Sequence, residues 1–259
     1  MNSKTVVPSK RGRFNGMMQI LRYNWPQYVV SVVIVVLGAV WGCVGQGPEW
    51  FRAVALIVAL PAAWWCLASL IASFWIYDLS PLYRWTWISN ALPATPQYWL
   101  SLHAGLDESS STIRQLFPDG EGRVGDFYNA AEMSEPSIQR ARAEQKCNST
   151  TERVDYRKLP FPGESFDAVF LLFAAHELRR AESREAFIRE VRRVLSPSGT
   201  VLLVEHVRDL ANFAAFGPGF LHFMPAGEWR RLAEIAGLNV VREERMTPFV
   251  KIILLARRP

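Results

Sequence analysis

At 259 residues, the chain is long enough for one domain of ordinary size plus an appendage. Half of its residues are hydrophobic, high for a wholly water-soluble chain, and its net charge of +5 arises within residues 1–27, where Lys4, Lys10, Arg11, Arg13 and Arg22 face no acid. The rest balances 24 basic against 24 acidic residues, which argues against a nucleic-acid binder, and three cysteines without CxxC or Cys/His spacing indicate neither a disulfide framework nor a zinc site.

The hydrophobic excess is concentrated near the amino terminus. YVVSVVIVVLGAVWGCVG, residues 28–45, carries no charge and approaches the ~20 residues needed to cross the hydrocarbon core of a bilayer. AVALIVALPAAWWCLASLIASFWIY, residues 53–77, is longer and contains Pro61, which membrane helices tolerate. The seven residues QGPEWFR between them form a tight connection, so residues 28–77 are expected to be a two-helix transmembrane hairpin. The basic residues of 1–27 place the amino terminus in the cytoplasm, and two crossings return the chain to that side of an inner-membrane bilayer. Residues 78–97, with Pro81, Pro93, Pro96 and the ring-rich run Tyr83, Trp85 and Trp87, are expected to be an interfacial linker. The bland alternative is a pair of core helices in a soluble domain.

From residue 98 to 259, short apolar strands alternate with amphipathic helices, the pattern of a mostly parallel sheet covered on both faces. Strands are predicted at 99–104, 123–128, 167–174, 200–206, 239–246 and 249–258. In SREAFIREVRRVL, Phe187, Val191, Val194 and Leu195 form one apolar stripe, and in AGEWRRLAEIAG, Trp229, Leu232 and Ala236 do the same ahead of a closing glycine. The last two strands meet around Thr247 and Pro248, too close for a crossover helix, and must run antiparallel.

The block DYRKLPFPGESFDAVFLLFAAHELRRAESREAFIREVRRVLSPSGTVLLVEH resembles the second half of a class I S-adenosylmethionine-dependent methyltransferase, in its quinone- and lipid-methylating branch. Asp155, Leu159 to Phe161, Ser165 to Asp167, Arg193 to Leu195 and Pro197 to Gly199 match the family pattern, with Ser198 in place of the middle glycine of the last turn. The resemblance implies a Rossmann-like seven-stranded sheet with an antiparallel last strand. It also implies S-adenosyl-L-methionine as cofactor, over the sheet between the tips of the first two strands. The family's glycine-rich loop is reduced to SLHAGLDES, in which Ser101 replaces the usual acid and Gly105 alone remains. By the resemblance, Asp126 meets the ribose and Asp155 the adenine, with Phe127 and Tyr156 beside them, while His103 and Gly105 border the methionine end. Asp107 and Glu108 either cap the following helix or take the cofactor's amino group.

The four histidines, His103, His176, His206 and His222, all fall at or just beyond predicted strand ends or in the loop after them, the side on which open α/β sheets bind their ligands. His176, His206 and Glu205 are the candidate catalytic groups, since transfer to oxygen needs a base within hydrogen-bond reach. Glu177, Arg208, Asn212 and His222 are candidate acceptor-binding residues. No HxH or HExxH spacing appears, so no metal site is expected. The expected protein is a membrane-anchored methyltransferase whose partners are the lipid bilayer and a small lipidic or quinone-like acceptor, and not nucleic acid. The rival expectations are a tethered scaffold that keeps the fold without the chemistry, and an enzyme using the cofactor for another reaction.

Overall fold

The computed structural model describes residues 12–46, 48–144 and 150–258. Lys4, Lys10, Arg11, Gly47 and Cys147 lie outside the described residues.

Helix α1 (Asn15–Tyr23) precedes the two apolar helices α2 (Trp25–Val44) and α3 (Glu49–Phe74). Contacts between Tyr28 and Ser69, Gly38 and Ala59, and Gly42 and Leu56 show that α2 and α3 are antiparallel. Gly38 and Gly42 are four residues apart on one face, and a Cβ on either would come within 2.7 Å of the opposing side chain, so the two backbones approach as small-residue membrane pairs do. By length and composition the helical stretches Trp25–Val44 and Glu49–Leu79 could each cross a membrane. Only 6% and 11% of their most apolar windows are buried inside the protein, so the fold itself leaves these surfaces uncovered.

The chain leaves α3 through one π-helical turn (Trp75–Leu79), a 3-10 turn (Leu82–Arg84) and the short helix α4 (Ile88–Ala91). Residues 78–97, expected to be an interfacial linker, pack onto the sheet, with Leu82, Trp85 and Ile88 essentially inaccessible. Their rings find a protein surface to cover, which the sequence pattern of prolines and tryptophans does not reveal.

The remainder runs β1 (Tyr98–His103), α5 (Ser110–Leu116), β2 (Glu121–Asp126), α6 (Pro136–Glu144), β3 (Thr151–Arg153), β4 (Phe166–Leu172), α7 (Ala181–Val194), β5 (Leu195–His206), α8 (Leu210–Phe216), α9 (Ala226–Ile235), β6 (Leu238–Thr247) and β7 (Val250–Arg257). The sheet order is β3-β2-β1-β4-β5-β7-β6; β1 to β5 are parallel, and β7 is antiparallel to both neighbours. The predicted antiparallel pair is therefore present. Strand β3 was not among the predicted strands, because three residues, Thr-Glu-Arg, carry no apolar run.

Period-two alternation assigns the two cores. Leu100, Leu102, Val169, Leu171, Val201 and Leu203 face the layer of α7 and α9, whereas Trp99, Ala168, Phe170, Leu202 and Val204 face α5, residues 78–97 and the base of α3. Helix α9 closes on Gly237, whose φ of 77° is the left-handed conformation that a glycine there supplies. Strand order reverses between β1 and β4, and their carboxyl ends part to leave the crevice in which open α/β sheets bind ligands.

Gly122 of β2 lies flat against the fully buried Trp99 indole, and a Cβ at this position would overlap that ring. Gly122→Ala is expected to destabilise the domain by about 1–3 kcal/mol through overpacking, read as a lowered urea midpoint in detergent-solubilised protein.

Candidate active site

A chamber of about 950 Å³ opens over the carboxyl ends of β1 and β4. Ser101 to Leu106 line it from β1 and Leu172 to Ala174 from β4; the far wall comes from α1, and the chamber continues between α2 and α3 to Ile34 and Val58. Helix α1 is fixed in place as a roof. Its first amides, Gly16 and Met17, donate to the two Asp78 oxygens at 2.8 Å, Gln19 reaches Glu108 at 3.0 Å, and the Tyr23 carbonyl accepts from Arg140 at 2.6 Å. A carboxylate at the amino end of a helix is also favoured by the helix dipole.

Behind β4 the chain turns at Ala175–Glu177, and this turn is tied to β5 by Glu205. The fully buried Glu205 accepts from the Ala175 and His176 amides at 2.9 and 3.2 Å and from His176 Nδ1 at 2.6 Å. Burial opposes charge on His176, but Glu205 and Glu177 outweigh it and push its pKa up to about 10. His176 Nε2 lies 3.5 Å from Glu177 Oε1, and the His222 ring stands 5.1 Å away at 76°. Desolvation, with His176 beside it, pushes His222 down to about 3, so this imidazole is neutral at physiological pH.

His206 has a different environment. The Phe249 carbonyl takes a hydrogen bond from Nδ1 at 3.1 Å, which leaves Nε2 to accept from the Tyr77 hydroxyl at 3.0 Å, and the ring stacks on Phe223. Burial and the neighbouring His176 push its pKa down to about 4. Of the two candidate bases, His176 keeps a ring nitrogen toward open space, while both nitrogens of His206 are engaged. Phe173, at the end of β4, has a φ of 53°, a strained value for a bulky residue, and packs against Tyr83 and His206.

His103 Nδ1 accepts from the Gly105 amide at 3.3 Å, so Nε2 carries the hydrogen; it is buried without a partner. Burial lowers the pKa of His103 and keeps the ring neutral. Gly105 and Glu108 also line the chamber, whereas Asp107 serves the start of α5, accepting from the Ser109 and Ser110 amides at 3.3 and 3.0 Å. Glu177 and His222 line the chamber as well. Arg208 and Asn212 stand outside it. Arg208 braces the Leu221 and Phe223 carbonyls, and Asn212 bridges Asp209 and the Phe249 carbonyl.

The place between the β1 and β2 tips is not empty. Arg142 of α6 grips both Asp126 oxygens, at 3.1 and 2.9 Å, and stacks over Tyr128. Its stem and Ile138 fill the space beside Gly105 that a side chain would occupy. Phe127 is buried against Phe187, Tyr156 donates to Glu132 at 2.6 Å, and Asp155 is exposed and accepts from the Arg157 amide at 2.9 Å. None of Asp126, Phe127, Asp155 and Tyr156 lines the chamber. No spacing rule in the sequence points to Arg142 or to Tyr77 as part of the site.

Residues 117–203 match the family model described as a methyltransferase domain. The part of the chain that carries the sheet has the Rossmann-like methyltransferase fold, and its middle resembles a methyltransferase domain. A demethylmenaquinone methyltransferase of Tropheryma whipplei is 26% identical over 153 residues, covering 59% of this chain and 58% of the relative's length. Among solved structures, the pyocyanin biosynthetic protein PhzM shares 12% identity at a TM-score of 0.56, covering 100% of this chain and 77% of its own. The mitomycin 7-O-methyltransferase MmcR shares 13% at 0.54, covering 96% and 74%. These likenesses carry the fold. The cofactor that goes with this domain is S-adenosylmethionine.

The residues fit that cofactor unequally at its two ends. At the methionine end, the unpartnered His103 Nε2–H suits a carboxylate, and the Glu108 carboxylate suits an ammonium group. At the ribose end, Asp126 offers the right acceptor only once Arg142 has let go. Arg142→Ala is therefore expected to tighten binding of S-adenosylhomocysteine by about tenfold, and Asp126→Asn to weaken it, both measured by isothermal titration.

The depressed pKa of His206 also fixes a pH dependence. The unfolded imidazole takes a proton below about pH 6.5 while the folded one resists to about pH 4, so stability falls as pH drops through this window. The full effect is on the order of 3 kcal/mol. His206→Asn is expected to flatten the acid side of a urea-midpoint-against-pH curve.

Proposed function

We propose that the protein is a membrane-anchored S-adenosylmethionine-dependent methyltransferase acting on a small lipidic or quinone-like acceptor. The observation that carries this reading is the single chamber that joins the histidine cluster at the sheet to the interior of the α2–α3 hairpin. A polar head at His176 and Glu177 would leave an apolar tail running past Ala62 toward Ile34 and Val58, between helices that are themselves apolar on their outer surfaces. The Tropheryma relative, named a demethylmenaquinone methyltransferase, supports the same acceptor class.

In this reading α2 and α3 lie in the bilayer, with the amino terminus and the methyltransferase domain on the cytoplasmic side. Bound cofactor supplies an electrophilic sulfonium methyl. The chain's own part is positioning: His103 and Glu108 hold the amino-acid end, α1 excludes water from above, and the Glu205-anchored His176 faces the acceptor. His176 donates a hydrogen bond to an acceptor oxygen, or takes its proton after losing the one the carboxylates hold. His176→Ala is expected to reduce the rate by about 10²–10⁴-fold with little change in cofactor affinity.

The test incubates the full chain in lipid extract with methyl-labelled cofactor and looks by mass spectrometry for a lipid heavier by one methyl group. An unchanged extract, with cofactor binding intact, would rule out the lipid acceptor. The Arg142–Asp126 pair favours a second reading, a tethered scaffold of the same fold. Folded protein that gives no heat with S-adenosylmethionine or S-adenosylhomocysteine would establish it.

A further inference from the structure

We infer that His176, Glu177 and His222 form a binding site for a divalent transition-metal ion, with open coordination positions toward the chamber. One ligand atom from each residue falls in a group whose members all lie within 4.8 Å of one another. His176 Nε2 and Glu177 Oε1 are already 3.5 Å apart. Bonds of ~2.0–2.2 Å to one ion require the three atoms to draw in by about 1 Å, which side-chain rotation supplies.

Three further features distinguish this group from a chance meeting of polar side chains. Glu177 Oε2 is buried without a hydrogen-bond partner, an expensive condition for a carboxylate oxygen and one that a cation relieves. His176 is held through Nδ1 by a fully buried carboxylate, itself fixed by two backbone amides, so that Nε2 is the nitrogen presented. A carboxylate behind a histidine in this way sets the tautomer and raises the basicity of a metal-binding imidazole. The turn that carries His222 is clamped as well: Arg179 donates to the His222 carbonyl, and Arg208 to those of Leu221 and Phe223 at 2.7 and 2.9 Å. Arg208 thereby acquires a role outside the chamber, positioning the third ligand.

Two imidazoles and one carboxylate suit zinc, manganese or ferrous iron better than magnesium or calcium, which prefer oxygen alone. Three protein ligands leave at least one position for a molecule in the chamber. If the methyl-transfer reading above holds, that position is where an acceptor oxygen would sit, and the ion, having displaced the His176 Nε2 proton, would take over the polarising role given there to that nitrogen. The binding of metal does not depend on that reading.

The experiment uses the full chain in detergent micelles, stripped with EDTA, titrated with Zn²⁺ or Mn²⁺ alone, and analysed for bound metal after gel filtration. One equivalent of at least one of the two ions is expected on the wild type. His222→Ala and Glu177→Gln should each weaken binding at least about tenfold, Glu205→Gln should weaken it in the same direction, and His103→Gln, elsewhere in the chamber, should leave it unchanged. Circular dichroism and an unaltered elution volume establish that each variant is folded. The inference is overturned if the wild type elutes without either ion, or if His222→Ala and Glu177→Gln bind as tightly as the wild type. Calorimetry with S-adenosylhomocysteine on the stripped protein is scored separately. Cofactor binding without metal binding ends this inference and leaves the enzyme reading in place; metal binding without methyl transfer does the reverse.

Discussion

The arrangement of the site depends on one buried carboxylate. Glu205 reaches from β5 across to the turn after β4, where two amides and an imidazole nitrogen satisfy it. A polar side chain at 1% exposure is tolerated only when its oxygens are paired, and here the pairing comes from three donors of one turn. This joins the neighbouring parallel strands at their functional ends and fixes which nitrogen of His176 meets the chamber. Removing it would leave the turn's amides unpaired as well as the ring free to rotate, so geometry and stability are coupled here.

Around that anchor, each histidine is given a different character by its neighbours. His176 sits between carboxylates and favours charge, whereas His206 and His222 are desolvated near a positive neighbour and stay neutral. His103 is neutral and contributes an unpaired hydrogen. The clustering of all four near strand ends was readable in the sequence because a parallel sheet gathers its carboxyl ends on one side. Their differing protonation was not, because it depends on Tyr77, Phe249 and Glu205, which reach the rings only through folding.

The fold itself was largely legible. Alternating apolar runs, amphipathic stripes such as Phe187, Val191 and Val194, and the short link at Pro248 lead directly to the observed sheet with its antiparallel β7. Three things escaped: β3, too short and polar to register; α1, which follows a basic stretch; and the burial of residues 78–97. The cofactor side was legible only as an expectation. Asp126 stands at the end of β2 as expected, but its oxygens are held by Arg142, and a bidentate pair between residues 16 apart leaves no spacing rule to find it by. His176 and His222 likewise come together across 45 intervening residues, which no local ligand motif spans.

The hairpin is unevenly sealed along its length. Near its turn, Gly38 and Gly42 bring α2 and α3 into close contact, while nearer the sheet the chamber reaches between the helices, lined by Ser31, Ile34, Val58, Ala62 and Trp65. If the hairpin stands in a bilayer, its sealed end lies in the leaflet far from the sheet and the chamber in the leaflet that adjoins it, so an occupant's tail has the depth of one leaflet to fill and not two.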